Sequence, residues 1–186
     1  MSTLDLCIGF LDRCWADGDF EFPPHAHVLE VGCAEADTIA YLKEKRPDLH
    51  VTGIDWRKVD RPKADKLVQG DVLLYNFPPE SFDCIVAVST VEHIGLGAYG
   101  DPTDTDGDTH AMERMVSWLK PGGWLYFDVP YRPDSDYVAY SDFRAYNPAA
   151  LEQRLYQPSM RPLSHRLFRA NHPDAPYVAV VMQKTA

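Results

Sequence analysis

The chain has 186 residues, with four cysteines, fifteen prolines and a formal net charge of −10 at pH 7. That length fits one domain whose core needs no disulfide or metal staple, and the apolar, aromatic and charged fractions are those of a globular protein. The acidic balance argues against a phosphate-tracking surface, because nucleic-acid binding rests on Lys and Arg; small molecules or proteins are the better partners. No apolar run approaches the ~20 residues of a membrane span and no basic-then-apolar leader opens the chain. The expected compartment is therefore the cytoplasm, with no membrane partner.

Residues 1–22 read as an amphipathic helix, or two short ones, with Leu4, Ile8, Leu11 and Trp15 as the apolar stripe. Gly18 breaks it and Pro23-Pro24 end it. Next come strand 26–31, helix 36–46 and strand 50–55, then a short polar helix or loop over 57–65. Strand 66–69 leads to Gly70-Asp71, and a proline-rich loop precedes strand 82–88. A short helix begins near Ser89 and decays into a glycine-rich loop. Helix 108–119 is stopped by Lys120-Pro121-Gly122-Gly123, strand 124–129 follows, and a polar, tyrosine-rich loop runs on to Tyr146. Helix 148–156 has Pro148 in its first turn and Asn147 as N-cap. Strands 162–169 and 177–183, alternating apolar and polar, make an antiparallel terminal hairpin. The expected organisation is a single domain: helical segment 1–24, binding core 25–130, and helix plus hairpin 131–186.

The cysteines are scattered, with no C-x-x-C pair. Cys33 in a turn and Cys84 in a strand read as small, reduced core residues. Cys7 and Cys14 share a helix face at a separation that a disulfide does not bridge.

The most informative stretch is His27 to Asp55. An apolar strand carrying Glu30 meets a small-residue turn (Gly32, Cys33, Ala34), then a helix, then a second strand ending in Asp55. This is a βαβ unit with an acid at each strand end, and open parallel sheets bind ligands beyond those ends. Acceptor-only side chains beside a tight turn suit a ligand rich in hydroxyls and amines, such as an adenosine derivative. A G-x-G-x-x-G is absent, which argues against a dehydrogenase.

Strand, E-x-G-x-x-x-A turn, helix, strand and acid resemble motif I and the ribose-binding acid of the class I, Rossmann-like S-adenosylmethionine-dependent methyltransferases. Gly70-Asp71, the strand from Phe82 to Val88 and the turn Leu119 to Gly123 (LKPGG) follow in the family's order. The resemblance covers about residues 26–130. It departs at Ala34 and Ala36, where many members have glycine; their methyl groups are accommodated only at negative φ.

The resemblance implies an α/β fold: a seven-stranded, mostly parallel Rossmann-like sheet with helices on both faces and an antiparallel C-terminal hairpin. It implies S-adenosylmethionine as cofactor and S-adenosylhomocysteine as product. Glu30, Gly32, Cys33 and Ala34 would form the turn around the methionine part. Asp55 would accept the ribose hydroxyls, with Trp56 against adenine. Gly70, Asp71 and Val72 would meet the adenine edge, and Ser89 would complete the cofactor set. Each has a plainer reading: Asp55 as a helix N-cap, Trp56 as packing, Asp71 as a turn aspartate.

After the fourth strand, where the family places catalytic groups, come Ser89-Thr90-Val91-Glu92-His93. His93 could serve as general base, since an imidazole titrates near neutral pH, with Glu92 orienting it; the alternative is that both cap and pack a short helix. A metal held by E-x-x-E-H is not expected, because Ser89 stands at the first acid's place. The loop Asp101 to Asp108 resembles part of a calcium loop, but Pro102 occupies its first ligand position; the plainer reading is that Asp106 or Asp108 caps the next helix.

The longer string EHIGLGAYGD, with the later Arg144-Ala145-Tyr146, is similar to a little-characterised branch of methyltransferase-like proteins with no settled substrate. Tyr99, Asp101, Tyr131, Arg132, Arg144 and Tyr146 are the candidate lining of an acceptor pocket. A local basic group (Arg144, Arg154, Arg161, Arg166, Arg169) keeps an anionic acceptor open, alongside a sugar-like one. The expected function is a methyltransferase acting on oxygen or nitrogen of a small polar acceptor. The alternative is a non-catalytic, adenosine-binding protein of the same fold. The sequence leaves the oligomeric state open.

Overall fold

The computed structural model describes residues 3–34, 37–168 and 176–185. Ala36 and Arg169 therefore lie outside the described residues. Seven strands form one sheet: β1 (His27–Val31), β2 (His50–Asp55), β3 (Lys66–Gln69), β4 (Phe82–Ala87), β5 (Leu119–Pro130), β8 (Met160–Phe168) and β9 (Tyr177–Lys184). Their order across the sheet is β3-β2-β1-β4-β5-β9-β8. Strands β1 to β5 pair in parallel, and β9 runs antiparallel between β5 and β8. The strand order reverses between β1 and β4, the place where an open α/β sheet parts into a ligand crevice.

Alternation along the strands sends successive side chains into two cores. On one face Val28, Val51, Cys84, Val86, Tyr126 and Val181 meet α1 (Thr3–Ala16) and α2 (Thr38–Lys45). On the other Leu29, Ile54, Ile85, Phe127, Val180 and Met182 meet α3 (Gly107–Trp118) and α4 (Pro148–Leu155). In α1 the fully packed face is Cys7, Phe10, Leu11 and Cys14, one helical step round from the expected stripe; Ile8 and Trp15 sit at its border. Phe10 stacks on Phe168 of β8 with ring centroids 4.2 Å apart, which aims the stripe at the terminal hairpin. Burying each such aromatic contributes on the order of 1.5–3 kcal/mol.

The differences from expectation are local. Residues 57–65 take the loop form of the helix or loop expected there, and the short helix expected near Ser89 is a single 3-10 turn, Val91–His93. Asp106 occupies the N-cap of α3 without a side-chain cap bond. Asn147 does cap α4, its side chain accepting from the Ala150 N–H at 2.8 Å. Strand β9 is buried along Tyr177 to Met182 rather than alternating, because it is paired on both sides and covered on both faces. A small antiparallel ribbon, β6 (Val138–Ala139) with β7 (Arg144–Ala145), was not expected.

Candidate functional site

At the carboxyl ends of the parallel strands lies a crevice of about 570 Å³. Gly32 from the turn after β1, Asp55 and Trp56 from the end of β2, and Gly70, Asp71 and Val72 beyond β3 contribute one set of lining residues. Ser89, Glu92, His93, Tyr99, Asp101 and Arg132 contribute the second. The topology thus brings together residues more than a hundred positions apart.

Gly32 sits at φ +79°, and a Cβ there would lie 2.2 Å from the Thr90 hydroxyl oxygen. Only glycine lets the first turn pass this close under the loop after β4. Ala34 is not among the positive-φ residues, so its methyl group is tolerated. The Ala34 N–H donates to Asp55 Oδ2 at 2.9 Å, while Asp55 Oδ1 accepts from the Arg57 backbone N–H at 2.8 Å and its Nε at 3.3 Å. Each carboxylate oxygen has two lone pairs, so Asp55 keeps acceptor capacity toward the crevice. Asp71 Oδ1 accepts from the Leu73 N–H at 2.8 Å. Its second oxygen takes no hydrogen bond among the described residues.

Ser89 holds φ +45°, an unusual backbone for a non-glycine residue. The strained turn sends its N–H to Asp128 Oδ1 at 3.2 Å and its hydroxyl to Glu92 Oε1 at 2.9 Å. Glu92 and Asp128 are both fully buried. Burial raises the pKa of both carboxyls, and for Asp128 the neighbouring Glu92 adds to the effect, bringing it up to about 8. Among the described residues, Glu92 Oε2 and Asp128 Oδ2 have no hydrogen-bond partner.

The His93 Nδ1 meets the backbone carbonyl of Asp142. A carbonyl only accepts, so the ring proton resides on Nδ1 and the neutral ring keeps its lone pair on Nε2. That nitrogen lies 3.7 Å from Glu92 Oε1. Tyr99 packs edge-on against the His93 ring and carries the Arg57 guanidinium 4.4 Å over its own ring.

Several candidates named from the sequence do not line the crevice, among them Glu30, Cys33 and Ala34. Glu30 shares strand parity with Val28 and turns toward the α1–α2 face behind the first turn, where burial pushes its carboxyl up to about 8. Cys33 and Ala34 present their carbonyls to Arg61, which clamps the turn from outside. Tyr131 is buried, edge-on to His165 and bridged to Tyr146.

Arg144 and Tyr146, expected at an acceptor, are internal braces. Arg144 is 1% exposed. Its guanidinium donates to the Ile94 carbonyl at 2.7 Å and, at 3.3–3.4 Å, to those of Glu92, Asp104 and Thr105. The Tyr146 hydroxyl donates to buried Asp108 at 2.8 Å, which also takes two bonds from Arg154. These groups tie the glycine-rich loop to α3. Asp104, of the calcium-like string, accepts from the Asp106 N–H at 3.0 Å and contacts His110 at 2.7 Å. Among the described residues no group of three or more His, Cys, Asp or Glu is placed to hold a metal ion.

Sequence reasoning missed Arg57, Thr90, Tyr140, Asp142, Phe143 and Tyr177, all of which line the crevice. Arg57 and Thr90 adjoin named candidates and were reachable by position. The ribbon residues had only the tyrosine-rich composition of their loop as a signal.

A family model described as "Caenorhabditis protein of unknown function, DUF268" matches residues 72–157. Phosphoethanolamine N-methyltransferase of Triticum aestivum is 28% identical over 142 residues, covering 68% of this chain and 26% of that protein. The chain thus spans about a quarter of the length of the curated relatives it matches. The Burkholderia thailandensis 1,6-didemethyltoxoflavin-N1-methyltransferase, solved with bound S-adenosylhomocysteine, superposes with a TM-score of 0.73 at 16% identity, over 98% of this chain and 78% of that one. The [4+2]-cyclase SpnF superposes with a TM-score of 0.74 at 13% identity, over 96% and 82% of the two chains. Sheet order, crevice and relatives agree: the chain has the class I, Rossmann-like fold of the S-adenosylmethionine-dependent methyltransferases.

Proposed function

We propose that the crevice binds S-adenosylmethionine and that the chain transfers its methyl group to oxygen or nitrogen of a small polar acceptor, anionic or sugar-like. The observation that carries this reading is the meeting of Gly32, Asp55 and Asp71 at one rim of the sheet. Asp55 would take the ribose hydroxyls and Asp71 the adenine amino group, with Trp56 beside the base. The residues present fit such a ligand: Asp55 and Asp71 keep acceptor capacity at the crevice, and Glu92 adjoins it with an orphaned acceptor oxygen.

The bound cofactor would supply a methyl group on a sulfonium, a good leaving group. Much of the acceleration then comes from holding donor and acceptor in line, worth up to ~7–11 kcal/mol in well-oriented systems. His93 Nε2 would take the proton released by the acceptor, and Glu92 would stabilise the imidazolium. Tyr99, Asp101 and Arg132 would position the acceptor. The N-methyltransferase relatives support nitrogen as one acceptor atom.

Isothermal titration with S-adenosylhomocysteine tests the cofactor half: micromolar binding is expected, and no heat at millimolar ligand would end the reading. For the non-catalytic alternative, a protein named as a [4+2]-cyclase indicates only that this fold is not confined to methyl transfer. Cofactor binding without turnover over a panel of amines, alcohols and phosphate esters would select it.

A further inference from the structure

We propose that Arg132 seats an anionic group of the acceptor, a carboxylate or a phosphate; this rests on the reading of the crevice given above and narrows its substrate class. Arg132 follows β5, half-buried in the crevice wall. Its backbone is pinned, the N–H donating to the Tyr146 carbonyl at 2.7 Å. Its Nη1 donates to the Tyr140 hydroxyl at 3.1 Å. Tyr140 is itself fixed, stacked on Phe143 at 4.5 Å and bonded through its N–H to the Phe143 carbonyl at 2.8 Å. The guanidinium is thus aimed by the β6–β7 ribbon.

No acid of the described chain answers it. Among the described residues Arg132 forms no ion pair, in a chain with a net charge of −10. The neighbouring arginines are committed. Arg57 pairs with Asp55 and Arg154 with Asp108, while Arg144 is spent on backbone carbonyls. Two further acids that line the crevice do not serve Arg132 either. Asp101 accepts from the Gly95 and Tyr99 N–H groups at 3.1 and 3.3 Å, and no ion pair joins Asp142 to Arg132. A guanidinium offers a planar fork of donors that matches two oxygens of a carboxylate or phosphate. Half-burial beside aromatic rings strengthens such a pair over one in open water. An anion on Arg132 would fix one end of the acceptor, leaving its nucleophile to reach the His93 side of the same crevice.

The test is a titration of the whole chain with inorganic phosphate and, separately, acetate, followed by NMR of arginine Nε–H and backbone amides, with and without saturating S-adenosylhomocysteine. Shifts at Arg132 and Tyr140 are expected, with affinity at least tenfold weaker in Arg132→Gln and only partly recovered in Arg132→Lys, which keeps the charge but not the fork. Comparing the two anions names the group. Tyr140→Phe, which keeps the charge and loses the aim, should weaken binding by a smaller factor. Shifts absent from Arg132, or equal affinity in Arg132→Gln, would overturn the proposal. If S-adenosylhomocysteine binds and the anions do not, this inference fails alone; if the anions bind Arg132 and S-adenosylhomocysteine does not, only the cofactor reading fails.

Discussion

The backbone N–H of Ala34 and the Asp55 carboxylate meet at 2.9 Å, so the first turn and the end of the second strand are a single unit. Removing that acid does two things: it deletes acceptors facing the crevice and releases the turn. Asp55→Ala is expected to weaken S-adenosylhomocysteine binding about tenfold to a hundredfold, from hydrogen bonds to a charged group of ~1.5–3 kcal/mol. Calorimetric titration of the variant reads it. Asp55→Asn keeps one carbonyl acceptor and should fall between the two.

Gly32 offers a sharper structural test. Alanine there must adopt a left-handed φ and place its Cβ 2.2 Å from the Thr90 oxygen. The backbone part costs about 1–2 kcal/mol and the overlap about 1–3 kcal/mol more. Urea unfolding of Gly32→Ala should show the sum. In the double variant with Thr90→Gly the overlap part should return while the backbone part remains.

Stability should depend on pH in an unusual direction. Glu30 and Asp128 have folded pKa values raised to about 8, chiefly by burial, against ~4 in an unfolded chain. Unfolded chains release these protons first, so the contribution is fully present below about pH 4 and is lost as pH rises through about 8. Unfolding midpoints at pH 5.5 and 8.5 should therefore fall with rising pH, and Glu30→Gln with Asp128→Asn should flatten the slope. A midpoint that rises over this window would contradict the burial of both acids.

Arg144 should matter for folding and little for direct ligand contact. It is buried, and its donors satisfy carbonyls from the 3-10 turn and the loop before α3. Arg144→Ala leaves these unpaired, removes the guanidinium that lies 3.7 Å from buried Asp108, and is expected to lower stability by about 3–5 kcal/mol, read by urea denaturation. Arg144→Lys should recover little, because an ammonium cannot span carbonyls from two segments.

Much of this was legible in the sequence, and the rest was hidden for definite reasons. Strands β1, β2 and β4 announce themselves by apolar runs ending at Asp55 or at the small-residue turns, so the crevice floor could be read in order. Glu30 does not line the crevice: motif spacing says which strand end it occupies, while strand parity with Val28 says which face it takes. Arg144 and Tyr146 were visible as a motif, but their partners lie 38 to 52 positions away, and spacing along a chain carries no such direction. The β6–β7 ribbon has two residues per strand, too few for any period to show, and with it went the aim of Arg132.

Strand β9 lies between β5 and β8, yet among the described residues it is the last strand to leave the ribosome. Until residues 177–184 emerge, β5 has no neighbour on that side and β8 has nothing to pair with. The half of the sheet that carries Tyr177, with Arg132 just beyond β5, is therefore completed only after every other described strand has been made. A truncation that removes this strand would unzip two seams at once rather than trim an edge.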